Sequence, residues 1–291
     1  LPVHPLPSRS LLFLILLSFV LNNPAQIFSQ KKDSLYKPGW TPRGVVGFNL
    51  SQVALSNWSQ GGENILSLSG LSNFGLDHYK KPWLFKNSLI ATLGSTKSGG
   101  GSFQTNDNIV SFENVLIYKV GWAVDPFIAN EIRTGILNGY DYKQDPAIQT
   151  ASFFDPGYVT QSIGFTFDRP NFSSRIGLAF KETFTNKFRQ YSDDVNTPDK
   201  TEAFKFQTGV ESVTEAKYNV AENLFYTSKL RLFSAFETLD VWDVGWDNTI
   251  TAKVNDIIAV NLNVLLIYEK AQSLKTQLKE GLNLGISYTV F

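Results

Sequence analysis

Apolar and polar residues alternate at period two along most of the chain, the pattern of strands with one apolar and one polar face. The segment Phe204 to Val220 shows it most plainly. Phe204, Phe206, Thr208, Val210, Ser212, Thr214, Ala216, Tyr218 and Val220 form one set, and Lys205, Gln207, Gly209, Glu211, Val213, Glu215, Lys217 and Asn219 the other. From Leu224 the pattern returns, with Tyr226, Leu230, Leu232 and Phe236 against Lys229, Arg231 and Glu237. A third instance sets Val110, Phe112, Leu116, Tyr118 and Val120 against Ser111, Glu113 and Lys119. Strands of soluble proteins average roughly five or six residues. A tilted strand that crosses a bilayer needs roughly nine to eleven, and most of these runs reach that length. The alternation predicts twelve strands, starting near residues 44, 63, 83, 108, 126, 157, 172, 204, 223, 242, 256 and 278.

The predicted connections differ in length by turns. Short ones are 78–82, 121–125, 168–171, 221–223 and 255–256. Between them fall longer polar ones at 56–62, 98–107, 143–156, 189–202, 240–243 and 270–276. Tight turns alternating with long loops distinguish the periplasmic from the extracellular end of an outer-membrane barrel. An even strand number puts both termini at the short-turn end. The fold class is therefore all-β: a transmembrane, antiparallel up-and-down β-barrel, most simply of twelve strands. Tryptophans sit near predicted strand ends. Trp83 and Trp122 adjoin short turns, Trp58 and Trp242 adjoin long loops, and Trp246 lies slightly further in, as an aromatic girdle at the headgroup levels requires. Ordinary core packing is the alternative reading of these residues.

Upstream, Arg9 precedes the apolar run Leu11–Leu21, which ends in Asn22, Asn23 and Pro24. A basic residue, a short apolar segment and a helix-breaking end match a secretory signal peptide, and the run is too short for a spanning helix of roughly 20 residues. Residues 1–30 are expected to be cleaved near Ser29 or Gln30. Residues 31–43 then form a short periplasmic segment, and 44–291 the barrel. At the other end, GLNLGISYTVF closes in Phe291, the kind of aromatic terminus read by a barrel-assembly machinery as partner. Its register is irregular, because Leu282, Leu284, Ile286, Tyr288 and Val290 share the face opposite Phe291.

Composition narrows the chemistry. Lys plus Arg and Asp plus Glu are both 26, so no general electrostatic case exists for a nucleic-acid partner. Cysteine is absent, which removes thiolate catalysis, thiolate metal sites and disulfides. His78 beside a short turn is the only histidine downstream of the signal segment. It falls at the wrong end for a lipid-facing hydrolase site, so no catalytic residue and no cofactor is assigned. Asp193, Asp194 and Asp199 offer oxygen ligands in a long loop, but solvated loop charge explains them better, and no metal site is assigned. The glycine run at 99–101 lacks the lysine and helix of a phosphate loop.

The informative residues are charges near strand centres, where facing lipid costs about 2–4 kcal/mol for Lys or Arg at the bilayer midplane. Glu113, Glu131, Arg133, Arg175, Lys181, Glu211, Glu215, Lys229 and Arg231 are therefore predicted to line the lumen, with Lys86, Lys217 and Lys253 beside them. Two arrangements compete. The charges line a water-filled passage, with a lean toward anionic solutes because bases outnumber acids in this set. Alternatively, they pair and close the lumen, leaving function to the loops 143–156 and 189–202.

The segment FNLSQVALSNWSQGGENILSLSG at 48–70, with Asn57-Trp58 and Gly61-Gly62, resembles the start of a family of barrel proteins from Bacteroidota catalogued only as a domain of unknown function. The resemblance extends from about Gly39 to Phe291. It implies an outer-membrane location and supplies no ligand or catalytic residue. Physically, Gly61-Gly62 suits a turn between the first two strands, since glycine accepts positive φ without strain; a ligand-contacting loop is the other reading.

Overall fold

The structure, a computed structural model, describes residues 36–57, 62–194, 197, 199–270 and 275–290. The expected signal peptide, Trp58, Gly61 and Phe291 lie outside the described residues. Twelve antiparallel strands close into a barrel: β1 (Gly39–Val53), β2 (Ile65–Lys80), β3 (Trp83–Ser98), β4 (Gln104–Tyr118), β5 (Asp125–Thr134), β8 (Gly157–Arg169), β9 (Phe172–Phe184), β10 (Phe204–Ala221), β11 (Leu224–Ala235), β12 (Asp243–Lys253), β13 (Ile258–Tyr268) and β14 (Gln277–Thr289). Each strand pairs with its neighbours in sequence. The β1–β14 ladder, from Val45 opposite Thr289 to Leu50 opposite Leu284, closes the ring.

The remaining two strands, β6 (Gly139–Asp141) and β7 (Ile148–Ala151), form a small hairpin inside the β5–β8 connection. By its sequence alone this region reads as a plain polar loop. Alternation over three or four residues is too brief to stand out as a strand signal, and the pair is defined by its own short ladder.

Connections alternate as anticipated. Residues 81–82, 119–124, 170–171, 222–223 and 254–257 join strands at the end where β1 begins and β14 stops, and 54–64, 99–103, 135–156, 185–203, 236–242 and 269–276 join them at the other. Strand starts agree closely with those expected, with two main exceptions. β4 begins at Gln104, because Thr96 and Ser95 still find partners in Gln104 and Thr105 across a bulge. β1 begins at Gly39, ahead of the expected position, despite Pro42. Proline lacks the N–H a two-sided strand requires, but β14 pairs with β1 only from Val45, so Pro42 meets Leu76 of β2 on one side alone.

Alternation divides each strand between two environments. Ile128, Ile163, Ile176, Leu178, Leu282 and Ile286 point outward and are largely exposed. A closed barrel with an apolar outer surface is solvated by hydrocarbon, not water, and among the described residues no helix is long and apolar enough to cross a membrane. The opposite face of each strand carries small and polar groups. On β8 the inward set is Tyr158, Thr160, Ser162, Gly164, Thr166 and Asp168, against outward Val159, Ile163, Phe165 and Phe167.

Two inward glycines set a close approach between strands. Gly164 and Gly177 stand directly opposite each other on β8 and β9, with buried Phe127 of β5 opposite Gly164. A Cβ on Gly177 would lie 2.3 Å from the Ile163 carbonyl oxygen. Gly177→Ala is therefore expected to force these strands apart and lower stability by about 1–3 kcal/mol, the usual cost of overpacking. Urea unfolding of the liposome-inserted barrel, followed by tryptophan fluorescence, measures it.

Candidate functional site

The charged residues expected near strand centres meet inside the ring. β4 and β11 are far apart around the barrel, yet Lys229 Nζ on β11 lies 3.1 Å from Glu113 Oε2 on β4, and 2.9 Å from Glu215 Oε1 on neighbouring β10. Such a contact is available only across the interior. Arg175 of β9 pairs with the other oxygen of the same Glu113 carboxylate. Arg231 pairs with Glu131 of β5 and lies 3.7 Å from both Glu113 and Glu211. Four carboxylates and three cations thus form one network spanning β4, β5, β9, β10 and β11. With mixed signs, each member has at least one opposite charge within 4 Å, as a low-dielectric interior requires.

The network divides the interior. A cavity of about 260 Å³ lies toward the short-turn end, between Lys86, Asp168, Lys217 and the lower side of Glu113. Another of about 570 Å³ lies toward the long loops, between Arg133, Tyr158, Tyr191 and the upper side of Arg231. Between the two, the barrel is narrowed by side chains.

Further ion pairs flank this waist. Near the short turns, Lys119 Nζ reaches Asp168 (3.1 Å) and Asp125 (3.4 Å), and Lys86 reaches Asp168 (2.6 Å). Toward the long loops, Lys181 holds Asp243 (3.0 Å) and Glu269 (3.1 Å). At the mouth Lys279 of β14 pairs with Asp107 of β4. Arg133 makes no ion pair among the described residues; its guanidinium lies 5.2 Å from the centre of the Tyr158 ring, a cation–π contact.

Sequence reading missed Asp125, Asp168, Asp243 and Glu269. They sit at strand ends, where the pattern reads equally well as turn. For Asp168 the signal existed, since it continues the even-numbered polar set of β8. These carboxylates remove the basic excess among strand-centre charges: Lys119 faces Asp125 and Asp168, and Lys181 faces Asp243 and Glu269. The lean toward anions then rests on Arg133 and not on that excess.

The other singled-out residues lie elsewhere. Trp83 is exposed at the start of β3 and packs edge-on against Tyr118 at 4.7 Å. Trp122 is exposed at the same end, and Trp242 at the opposite one. Trp246 donates through Nε1 to Ser228 Oγ (3.0 Å) on the outer face. His78 stands beside Trp40, ring centres 4.5 Å apart, near the short turns. In the first long loop Asn57 (φ 55°) and Gly62 (φ 112°) both take left-handed backbone, while Asn64 Oδ1 accepts from the Leu55 amide. Among the described residues no group of three His, Cys, Asp or Glu side chains is placed to hold a metal ion.

The two longest loops are stitched together. The buried carboxylate of Asp155, in the β5–β8 loop, accepts from the backbone amides of Asn186 (2.9 Å), Lys187 (2.8 Å) and Phe188 (3.3 Å) in the β9–β10 loop. Further along that loop, hydrogen bonds from the Thr197 hydroxyl and the Asp194 amide hold the Glu202 carboxyl below its usual range. A group with a lowered native pKa supports structure above its unfolded pKa and loses that support as pH falls through the native value. These local bonds are therefore intact at neutral pH and released in acid.

Among known proteins, a family model described as "Protein of unknown function (DUF3078)" matches residues 50–140. No curated protein sequence matches. Solved structures that resemble the chain include the COG4313 outer membrane channel from Pseudomonas putida F1, with 11% identity, covering 89% of this chain and 98% of that one, at a TM-score of 0.39. The translocator domain of autotransporter NalP from Neisseria meningitidis shows 8% identity, 96% coverage of both chains and a TM-score of 0.35. The CymD monoaromatic hydrocarbon channel shows 8% identity, covers 87% of this chain and 88% of that one, and has a TM-score of 0.33.

Two outcomes are expected from this geometry. Glu113→Gln leaves Arg175 and Lys229 short of their shared counter-charge and should destabilise the barrel by about 3–5 kcal/mol, the cost of breaking a buried ion pair from one side, read from the urea midpoint. Asp155→Ala orphans three amides in the paired loops. Limited proteolysis should then cut within 185–203 several-fold faster, while the barrel keeps its heat-modifiable gel mobility.

Proposed function

We propose that the chain, exported by its N-terminal signal, works in the outer membrane of a Gram-negative bacterium as a narrow channel for passive passage of small polar or anionic solutes. The short turns then face the periplasm and the long loops the exterior. One observation carries the reading: two cavities lie in series inside the barrel, separated by a waist of salt-bridged side chains. Side chains rotate far more readily than strands rearrange, so a waist of this kind passes small solutes when its pairs part. Arg133, facing the larger cavity with no ion pair among the described residues, is the group best placed to contact an anionic solute. Arg175, Lys229 and Arg231 are already committed to Glu113.

A second reading keeps the lumen shut and assigns function to the long loops as a surface for interaction. The cross-lumen ion pairs favour it, as does the Asp155 junction that orders two of the loops.

Single-channel recording in planar bilayers separates the two. A channel gives small discrete steps in the native protein and several-fold larger ones when Glu113→Ala and Arg231→Ala open the waist together. Arg133→Ala should shift the reversal potential in a salt gradient toward cations with little change in step size. Silence from both the native and the waist-opened barrel, each folded and inserted, rejects the channel and leaves the loop reading.

A further inference from the structure

The outer surface of the barrel contains a polar row that the interior network does not involve. Asn87 of β3 stands directly opposite Asn114 of β4, which stands opposite Asn130 of β5, which stands opposite Gln161 of β8. All four side chains point outward, since their strand neighbours Lys86, Glu113, Glu131 and Ser162 point in. Each amide is bracketed on its own strand by outward apolar residues: Phe85 and Leu89, Phe112 and Leu116, Ile128 and Ile132, Val159 and Ile163. Ile128 is 57% and Ile163 49% exposed. The row therefore lies within the apolar band, away from the aromatic residues at the strand ends.

Half of the row is internally satisfied. Asn114 Nδ2 donates to Asn87 Oδ1 (2.5 Å), and Asn87 Nδ2 donates to the Leu76 carbonyl (2.7 Å). Asn130 and Gln161 have no side-chain hydrogen bond among the described residues. In hydrocarbon an amide without a partner loses its hydrogen bonds to water and gains nothing in return. On the outer face of β9 and β10, Ser174 avoids this by pairing with Thr214 (2.9 Å).

We propose that Asn130 and Gln161 are satisfied by a second copy of this chain, the β4–β5–β8 face forming a twofold dimer interface within the membrane. The inference rests on the barrel spanning a bilayer and is independent of whether its lumen conducts. A carboxamide carries both donor and acceptor and so complements itself, which is what an isologous twofold contact requires. Because the strands of such barrels tilt by about 35–45°, the row runs obliquely up the wall. Two copies related by an axis along the membrane normal bring their rows together as a cross, with the unpartnered amides, Asn130 and Gln161, at the crossing. The flanking isoleucines pack around that point.

The chain has no cysteine, so single-cysteine cross-linking reports the contact directly. Ile128→Cys keeps all four amides and should give a dimer band on oxidation in liposomes, whereas Leu262→Cys on distant β13 should not. Adding Asn130→Leu and Gln161→Leu to Ile128→Cys should reduce the band several-fold without loss of heat-modifiable mobility; Gln161→Leu alone repeats the test if the double variant does not fold. Equal bands at Ile128→Cys and Leu262→Cys, a band indifferent to the amides, or monomer throughout overturns the proposal.

Discussion

Inside hydrocarbon no water is available to the backbone, so each N–H and C=O of the spanning segments must find its partner within the protein. Among sheets, closure alone meets that demand, and here the β1–β14 ladder completes the ring. Much else follows. A closed sheet has an inside and an outside, so strict alternation assigns every strand residue to one or the other, and the outer set must be apolar. Pro42 shows the constraint by its exception, being accommodated where β1 runs past the end of β14 and one side of the strand needs no donor.

Charges excluded from lipid have nowhere to go but inward, and the ring is narrow enough that they meet across it. Glu113 gathers Arg175 from β9 and Lys229 from β11, while Arg231 gathers Glu131 and approaches Glu211. The network narrows the space into two chambers and, because each ion meets an opposite charge on another strand, ties distant strands together. One cluster thus serves stability and sets permeability. At the two mouths the rule relaxes: Lys119 with Asp168 and Lys279 with Asp107 are smaller groups beside the strand ends.

Surfaces outside the lumen answer to different solvents. The long loops sit beyond the apolar band, and their order comes from backbone amides gathered by one carboxylate, Asp155, together with local bonds to Glu202. Much of the outer wall is apolar, and within its band the amides of Asn130 and Gln161 have no side-chain hydrogen bond among the described residues. The same chemical group is harmless in one solvent and costly in another, so their position in the band, not their identity, is what marks a contact.

Length of alternation and the spacing of turns were enough, in the sequence by itself, to determine a twelve-stranded antiparallel barrel, because strand period and bilayer thickness are local constraints written residue by residue. They also indicated that Glu113, Arg175, Glu211, Glu215, Lys229 and Arg231 belong to the polar face. The sequence could not say which of them touch, since β4 and β11 lie more than a hundred residues apart and meet only once the ring closes. Nor could it place Asp125, Asp243 or Glu269, whose turn-like positions hide their inward direction, or reveal the short β6–β7 hairpin. The amide row was equally hidden: Asn87, Asn114, Asn130 and Gln161 are scattered in the chain and become neighbours only through strand register. Facing is a local property and can be read from alternation; adjacency is a property of the closed sheet, and only the tertiary structure decides it.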